Sequence, residues 1–164
     1  CLAAGLEVEV VPGVTSALAV PALAGIPVTQ RGMSTSVLIA SGHAGADDTV
    51  LAAITTGATV VILMGVAALP DIVSAALAAG APDDLPVAII ERGSTPQERV
   101  SSGPLGAIVR IAHETDVKPP AIIVIGKVAS PDLWTSLDSA TPVASAMSEG
   151  EEEHSEPGGR STGR

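Results

Sequence analysis

The chain has 164 residues and a mass of 16.2 kDa, enough for one domain and short for two. It is 46% hydrophobic with one Trp, no Phe and no Tyr, so its core must be built from Val, Ile, Leu and Ala. The missing aromatics and a net charge of −10 both argue against a nucleic-acid partner, which would want stacking platforms and cations.

A single cysteine, Cys1, excludes an internal disulfide and fits a reducing cytosol, so we expect a cytoplasmic protein. Every apolar stretch is broken by Gly, Pro or a polar residue before about 18 positions, so we expect no membrane span, and we read no signal peptide. The opening CLAAGLEVEV, without an initiator Met, reads as the end of a helix running into a strand, and we expect an upstream half to be missing.

Val8, Val10 and Val11 favour a strand through their β-branched side chains, and Pro12-Gly13 would stop it. Thr15 or Ser16 then caps a short alanine-rich helix that Gly25 and Pro27 close. Arg31 to Ser36 is a polar loop leading to a strand at Val37–Ala40 and to Ser41-Gly42-His43. The spacing of Val50, Leu51 and Ile54 behind Asp47 predicts a helix ended by Gly57. Thr59 to Met64 is a continuous apolar run, as a strand buried on both faces requires, and Gly65 ends it.

Pro70 and Asp71 open a helix that Gly80 stops, and Pro86 to Ile90 is the next strand, giving a crossover expected to be parallel and right-handed. Glu91 to Pro96 is a polar turn and Arg99 to Ser102 a strand folding back. Pro104 to His113 is a helix, and Ala121 to Ile125 a last buried strand. The fold class is therefore α/β, a mixed sheet of about five strands with flanking helices. From Ser130 the periodicity dissolves; Leu133, Trp134 and Leu137 offer at most a docking turn. With seven acidic residues against two arginines, residues 130–164 read as a mostly disordered acidic tail.

No phosphate-binding glycine loop, nucleophile elbow or Cys/His metal cluster is present, and the three histidines are too scattered to suggest a metal site. His43 more simply orders its loop by a hydrogen bond than acts catalytically. What remains is a set of strand tips, where open α/β sheets bind ligands: Pro12 to Ser16, Ser41 to His43, Met64-Gly65 and Glu91 to Thr95. Met64 either packs in the core or offers a soft side chain to a ligand. Arg31, Arg92 and Arg99 near that rim would suit a substrate with several carboxylates, against the alternative of plain solvated charge.

Taken together, VVPGVTSALAVPALAGIPVTQRG, SGH, ILMGV, TPQERVSSGPL and KPPAIIVIGKV resemble the tetrapyrrole (corrin/porphyrin) methylase family, in order and spacing from Ala3 to about Ala129. The resemblance implies methyl transfer from S-adenosylmethionine to carbons 2 and 7 of uroporphyrinogen III, giving precorrin-2, without a metal. It implies a two-domain fold with the cofactor in the cleft between domains. Residues 1–30 would end the first domain and residues 31–129 would form the second.

By motif position it assigns cofactor contacts to Thr15, Ser16, Met64, Gly93 and, less directly, Ala121. Arg31, Arg92 and Arg99 remain the substrate-binding candidates. The family's glycine-rich loop and acid/base residues have no counterpart in this sequence, so we expect no catalytic residue here and no turnover by this chain alone. Family members pair as homodimers, which makes a second copy or a complementing half the expected partner. The alternatives are a sister methylase acting on a later corrin precursor, a distant relative acting on RNA or diphthamide, or a non-catalytic binding or dimerisation half of a split siroheme-forming enzyme.

Overall fold

A computed structural model describes residues 1–134. Five strands form one mixed sheet: β1 (Val37–Ser41), β2 (Thr59–Leu63), β3 (Pro86–Glu91), β4 (Arg99–Pro104) and β5 (Ala121–Ile125), in the order β1-β2-β5-β3-β4. β1 and β2 pair in parallel across α2 (Asp48–Thr56). β3 and β4 form an antiparallel hairpin with Glu91 opposite Arg99. β5 lies antiparallel to both β2 and β3. The crossover from β2 through α3 (Leu69–Ala78) to β3 therefore joins strands of the same direction, as expected, but β5 is inserted between them.

Alternation along the strands divides the core in two. Val60, Ile62, Val87, Ile89, Ile123 and Ile125 face one side, where α2, α3 and α4 (Leu105–Glu114) cover them. Val61, Ala88, Ile90, Ile122 and Val124 face the other, packed with Ala17 and Val20 of α1 (Ser16–Leu23), Ile26, and Val128-Ala129 of the turn after β5. The central strands must be apolar at every position because both faces are covered, which is why their runs are continuous.

Local chemistry sets the helix boundaries. Asp47 caps α2, its Oδ1 accepting from the Val50 N–H at 2.9 Å. Thr15 caps α1, its Oγ1 accepting from the Ala17 N–H at 3.3 Å. Replacing Thr15 by Ala leaves that donor without its side-chain acceptor and is expected to cost about 1 kcal/mol, read as a lower urea midpoint at constant slope.

The strand expected at Val8–Val11 does not form. Residues 6–14 carry no regular structure, and Val10, Val11 and Val14 are at least 80% exposed. β-propensity reports the fit of a side chain to a sheet surface, whereas a strand needs a neighbouring backbone to bond to, and none of the five strands pairs with this segment. After β5 the chain forms one helical turn, α5 (Pro131–Trp134), at the start of the span read as tail. The disorder expected beyond it, and the docking turn through Leu137, lie outside the described residues.

Candidate functional site

At the carboxyl ends of β2 and β3 and the amino end of β5, on the α1 side of the sheet, lies a hollow of about 830 Å³. Its apolar floor is made by Leu63, Ile90 and Ile122, one from each strand, with Val20 of α1 beside them. The rim carries the polar groups: Ser16, His43, Arg92, Thr95 and Gln97.

Four of the five residues assigned to cofactor by motif position, Ser16, Met64, Gly93 and Ala121, line this one hollow. The fifth, Thr15, adjoins Ser16 and has its hydroxyl engaged in capping α1. Met64 is 56% exposed, so its side chain faces the hollow rather than filling the core. The Met64 and Arg92 backbones have φ of 56° and 48°, a left-handed conformation costing on the order of 1 kcal/mol each for a residue with a Cβ. Both sit just past a strand end, where the chain turns sharply to form the hollow's edge.

The glycines at this rim have specific neighbours. A Cβ on Gly42 would meet the Gly65 Cα and lie 2.8 Å from Ile62 Cγ2, so the tips of β1 and β2 touch backbone to backbone. The Gly42 N–H donates to the Leu63 carbonyl at 2.7 Å across the same contact. A Cβ on Gly93 would collide with the Val20 side chain, so the absence of a side chain there lets α1 close over the turn after β3.

The three arginines part company. Arg92 lines the hollow, its backbone N–H donating to the Pro120 carbonyl at 2.9 Å. Arg99 does not reach it. Its Nε–H donates to Oε2 of Glu91 at 2.7 Å and its Nη2 bonds the Asp116 carbonyl at 3.2 Å, so its charge is spent within the fold. Arg31 is exposed in the turn closed by the Gln30–Ser34 bridge and is not among the residues lining the hollow. Glu91, which the sequence placed in a polar turn, instead ends β3 and is 1% exposed despite its charge. The loop-ordering hydrogen bond expected of His43 is not made: the imidazole is exposed at the rim and bonds to no described residue.

Between α4 and β5, Lys118 Nζ meets Asp116 Oδ2 at 2.6 Å, and that hydrogen bond and charge hold the Asp116 carboxyl below its usual range. Among the described residues no three His, Cys, Asp or Glu side chains cluster as metal ligands would. No helix among them is long and apolar enough to cross a membrane.

A family model described as Tetrapyrrole (Corrin/Porphyrin) Methylases matches residues 1–109. The chain belongs to this family.

Among its tetrapyrrole methylase relatives is an S-adenosyl-L-methionine-dependent uroporphyrinogen III methyltransferase of Methanosarcina barkeri. It is 46% identical over 130 residues, which are 75% of this chain and 50% of that protein. A siroheme synthase of Gluconacetobacter diazotrophicus is 40% identical over 131 residues, 77% of this chain and 28% of that protein. The solved structure of a uroporphyrin-III C-methyltransferase from Thermus thermophilus complexed with S-adenyl homocysteine is similar with a TM-score of 0.64 and 35% identity. It is matched over 77% of this chain and 54% of its own. The chain thus spans about half the length of the methyltransferases it matches.

Proposed function

We propose that this chain supplies the cofactor-facing half of an S-adenosylmethionine-dependent C-methyltransferase that converts uroporphyrinogen III to precorrin-2. Residues 31–129 would be its second domain and residues 1–30 the end of the first. The observation that carries the reading is the convergence of Ser16, Met64, Gly93 and Ala121 on one hollow with an apolar floor. The methyltransferases named above are its support in sequence.

The fit is chemical as well as positional. The adenine ring and the alkyl groups about the sulfur of the methyl donor need apolar walls with a few backbone and hydroxyl contacts. Leu63, Ile90 and Ile122 provide the first, and Ser16, Thr95 and the backbone about Gly93 the second. When bound, the methyl donor supplies an electrophilic carbon on a cationic sulfur. Transfer of that carbon to a pyrrole carbon would leave the carbon–sulfur electron pair on sulfur; the pyrrole carbon already carries an acid side chain and no hydrogen, so the balancing proton would leave from the pyrrole nitrogen or an adjacent bridging carbon. Such a transfer needs proximity, alignment and exclusion of water more than acid–base power. The residues here would accordingly act by placement: Met64 would contact the methyl donor, Ala121 would sit near its adenine through the backbone, and Arg92 would pair with a carboxylate of the substrate.

Half of the cleft is expected to bind weakly. Titration of the chain with S-adenosylhomocysteine should give a dissociation constant of about 1 mM or weaker, with amide shifts at Ser16, Met64, Gly93 and Ala121, and no turnover of uroporphyrinogen III. Micromolar binding or turnover by the chain alone would contradict the half-cleft reading, and absence of any shift at those four residues would overturn the cofactor assignment.

Exposed Val10, Val11 and Val14 with Leu18 and Leu23 of α1 favour a second reading, a binding or dimerisation half. Size-exclusion chromatography with and without a complementing half separates the two. A partner-dependent enzyme regains activity on mixing, whereas a scaffold associates without it.

A further inference from the structure

One wall of the hollow is made from two segments that sequence keeps far apart: Arg92-Gly93 after β3, and Pro119 to Ala121 leading into β5. The carboxylate of Glu91 joins them. Its Oε1 accepts from the Lys118 backbone N–H at 2.9 Å, and its Oε2 accepts from Arg99 Nε at 2.7 Å and forms an ion pair with Arg99 Nη2 at 2.6 Å. The group is 1% exposed, so water cannot substitute for these donors. The next residue, Arg92, holds its left-handed φ of 48° while its N–H bonds the Pro120 carbonyl at 2.9 Å. Arg99 also holds the same α4–β5 connection two residues earlier, through the Asp116 carbonyl at 3.2 Å.

From this we infer that Glu91 is a positioning residue: its ionised carboxylate, clamped between Arg99 and the Lys118 amide, sets the separation and orientation of the two segments that wall the hollow. It does not itself line the hollow. That the wall serves a methyl donor rests on the reading above; the clamp is a statement about the wall. A neutral amide at this position keeps one acceptor oxygen for Lys118 but loses the charge that holds the guanidinium, and presents an NH₂ group to it instead.

The test is amide hydrogen exchange by NMR on E91Q and, as a second variant at a half-exposed site, R99Q. In E91Q the Lys118 and Arg92 amides should exchange at least tenfold faster while those of β2 and β5 in their shared ladder keep wild-type rates. R99Q should show the same pattern at smaller amplitude, and it carries the test if E91Q does not fold. Titration with S-adenosylhomocysteine at one fixed concentration should give shifts at Gly93 and Ala121 at least threefold smaller in E91Q than in wild type. Unchanged exchange at Lys118 and Arg92 overturns the inference, as does uniformly faster exchange, which marks a merely structural role. Local loosening with full-sized ligand shifts also overturns it, since the wall would then not depend on the clamp. Local loosening with no ligand shifts even in wild type supports the clamp and instead removes the cofactor reading.

Discussion

Gly42→Val is expected to destabilise the chain by about 3 kcal/mol, near the top of the range for overpacked sites. The new Cβ would fall on the Gly65 Cα and 2.8 Å from Ile62 Cγ2, and neither neighbour has freedom to retreat. Gly65 is backbone, itself pressed against Ile62 and Ile123, with its own would-be Cβ 2.7 Å and 3.0 Å from them. Relief would require the tips of β1 and β2 to separate, breaking the Gly42 to Leu63 hydrogen bond and moving Met64 on the rim of the hollow. Urea unfolding should record the loss as a lower midpoint at unchanged slope. Gly13→Ala is the control: nothing lies within 4 Å of its would-be Cβ, and a change within about 0.5 kcal/mol is expected. Equal losses at the two sites would show that the strand tips do not touch as described.

The same contact explains what could be read from sequence and what could not. A dipeptide such as Ser41-Gly42 or Met64-Gly65 at a strand end marks a turn, and the rule that ligands gather at carboxyl ends of strands put His43, Met64 and the Glu91–Thr95 turn on one rim. Each of those segments contributes to the lining of the hollow. Sequence cannot say that the two glycines exist for each other, because they lie on different strands and their contact depends on register. The elements themselves were legible because TVVIL, PVAIIE and AIIVI each carry an uninterrupted apolar run bounded by Gly, Pro or charge. Their order was not: the insertion of β5 between β2 and β3 leaves no periodic trace, since strands buried on both faces look alike whichever neighbour they pair with.

Val8–Val11 failed for the converse reason, a local preference with no ladder to join. Arg99 looked like a substrate cation because its partner, Glu91, reads as the first polar residue of a turn. Only the fold buries that carboxylate, by bringing β4 and the Lys118 amide onto it. Arg92, one residue on, lines the hollow with Ile90 instead, and its backbone takes a positive φ that no sequence pattern announces.

Ile123→Ala carries the other large effect, an expected loss of about 4 kcal/mol. Ile123 is fully buried at the middle of β5, opposite Ile62 on β2 and Ile89 on β3, on the face covered by α2, α3 and α4. Truncation removes the transfer free energy of three carbons and leaves a cavity. Its walls are strands fixed by ladders on both sides, so collapse into the space is limited and the cost belongs to the upper part of the usual range. Ile39→Ala on the edge strand β1, where the side chain is 44% exposed, should cost less than about 1 kcal/mol by the same reasoning. The consequence reaches the site, because Ile123 Cδ1 is one of the two side-chain supports beneath Gly65. At equal folded fraction, the Met64 amide should exchange faster in Ile123→Ala than in Val124→Ala, whose side chain points to the α1 face instead. Equal exchange at Met64 in the two variants would mean that the hollow's edge is held by α1 and not by the helices on the far side of the sheet.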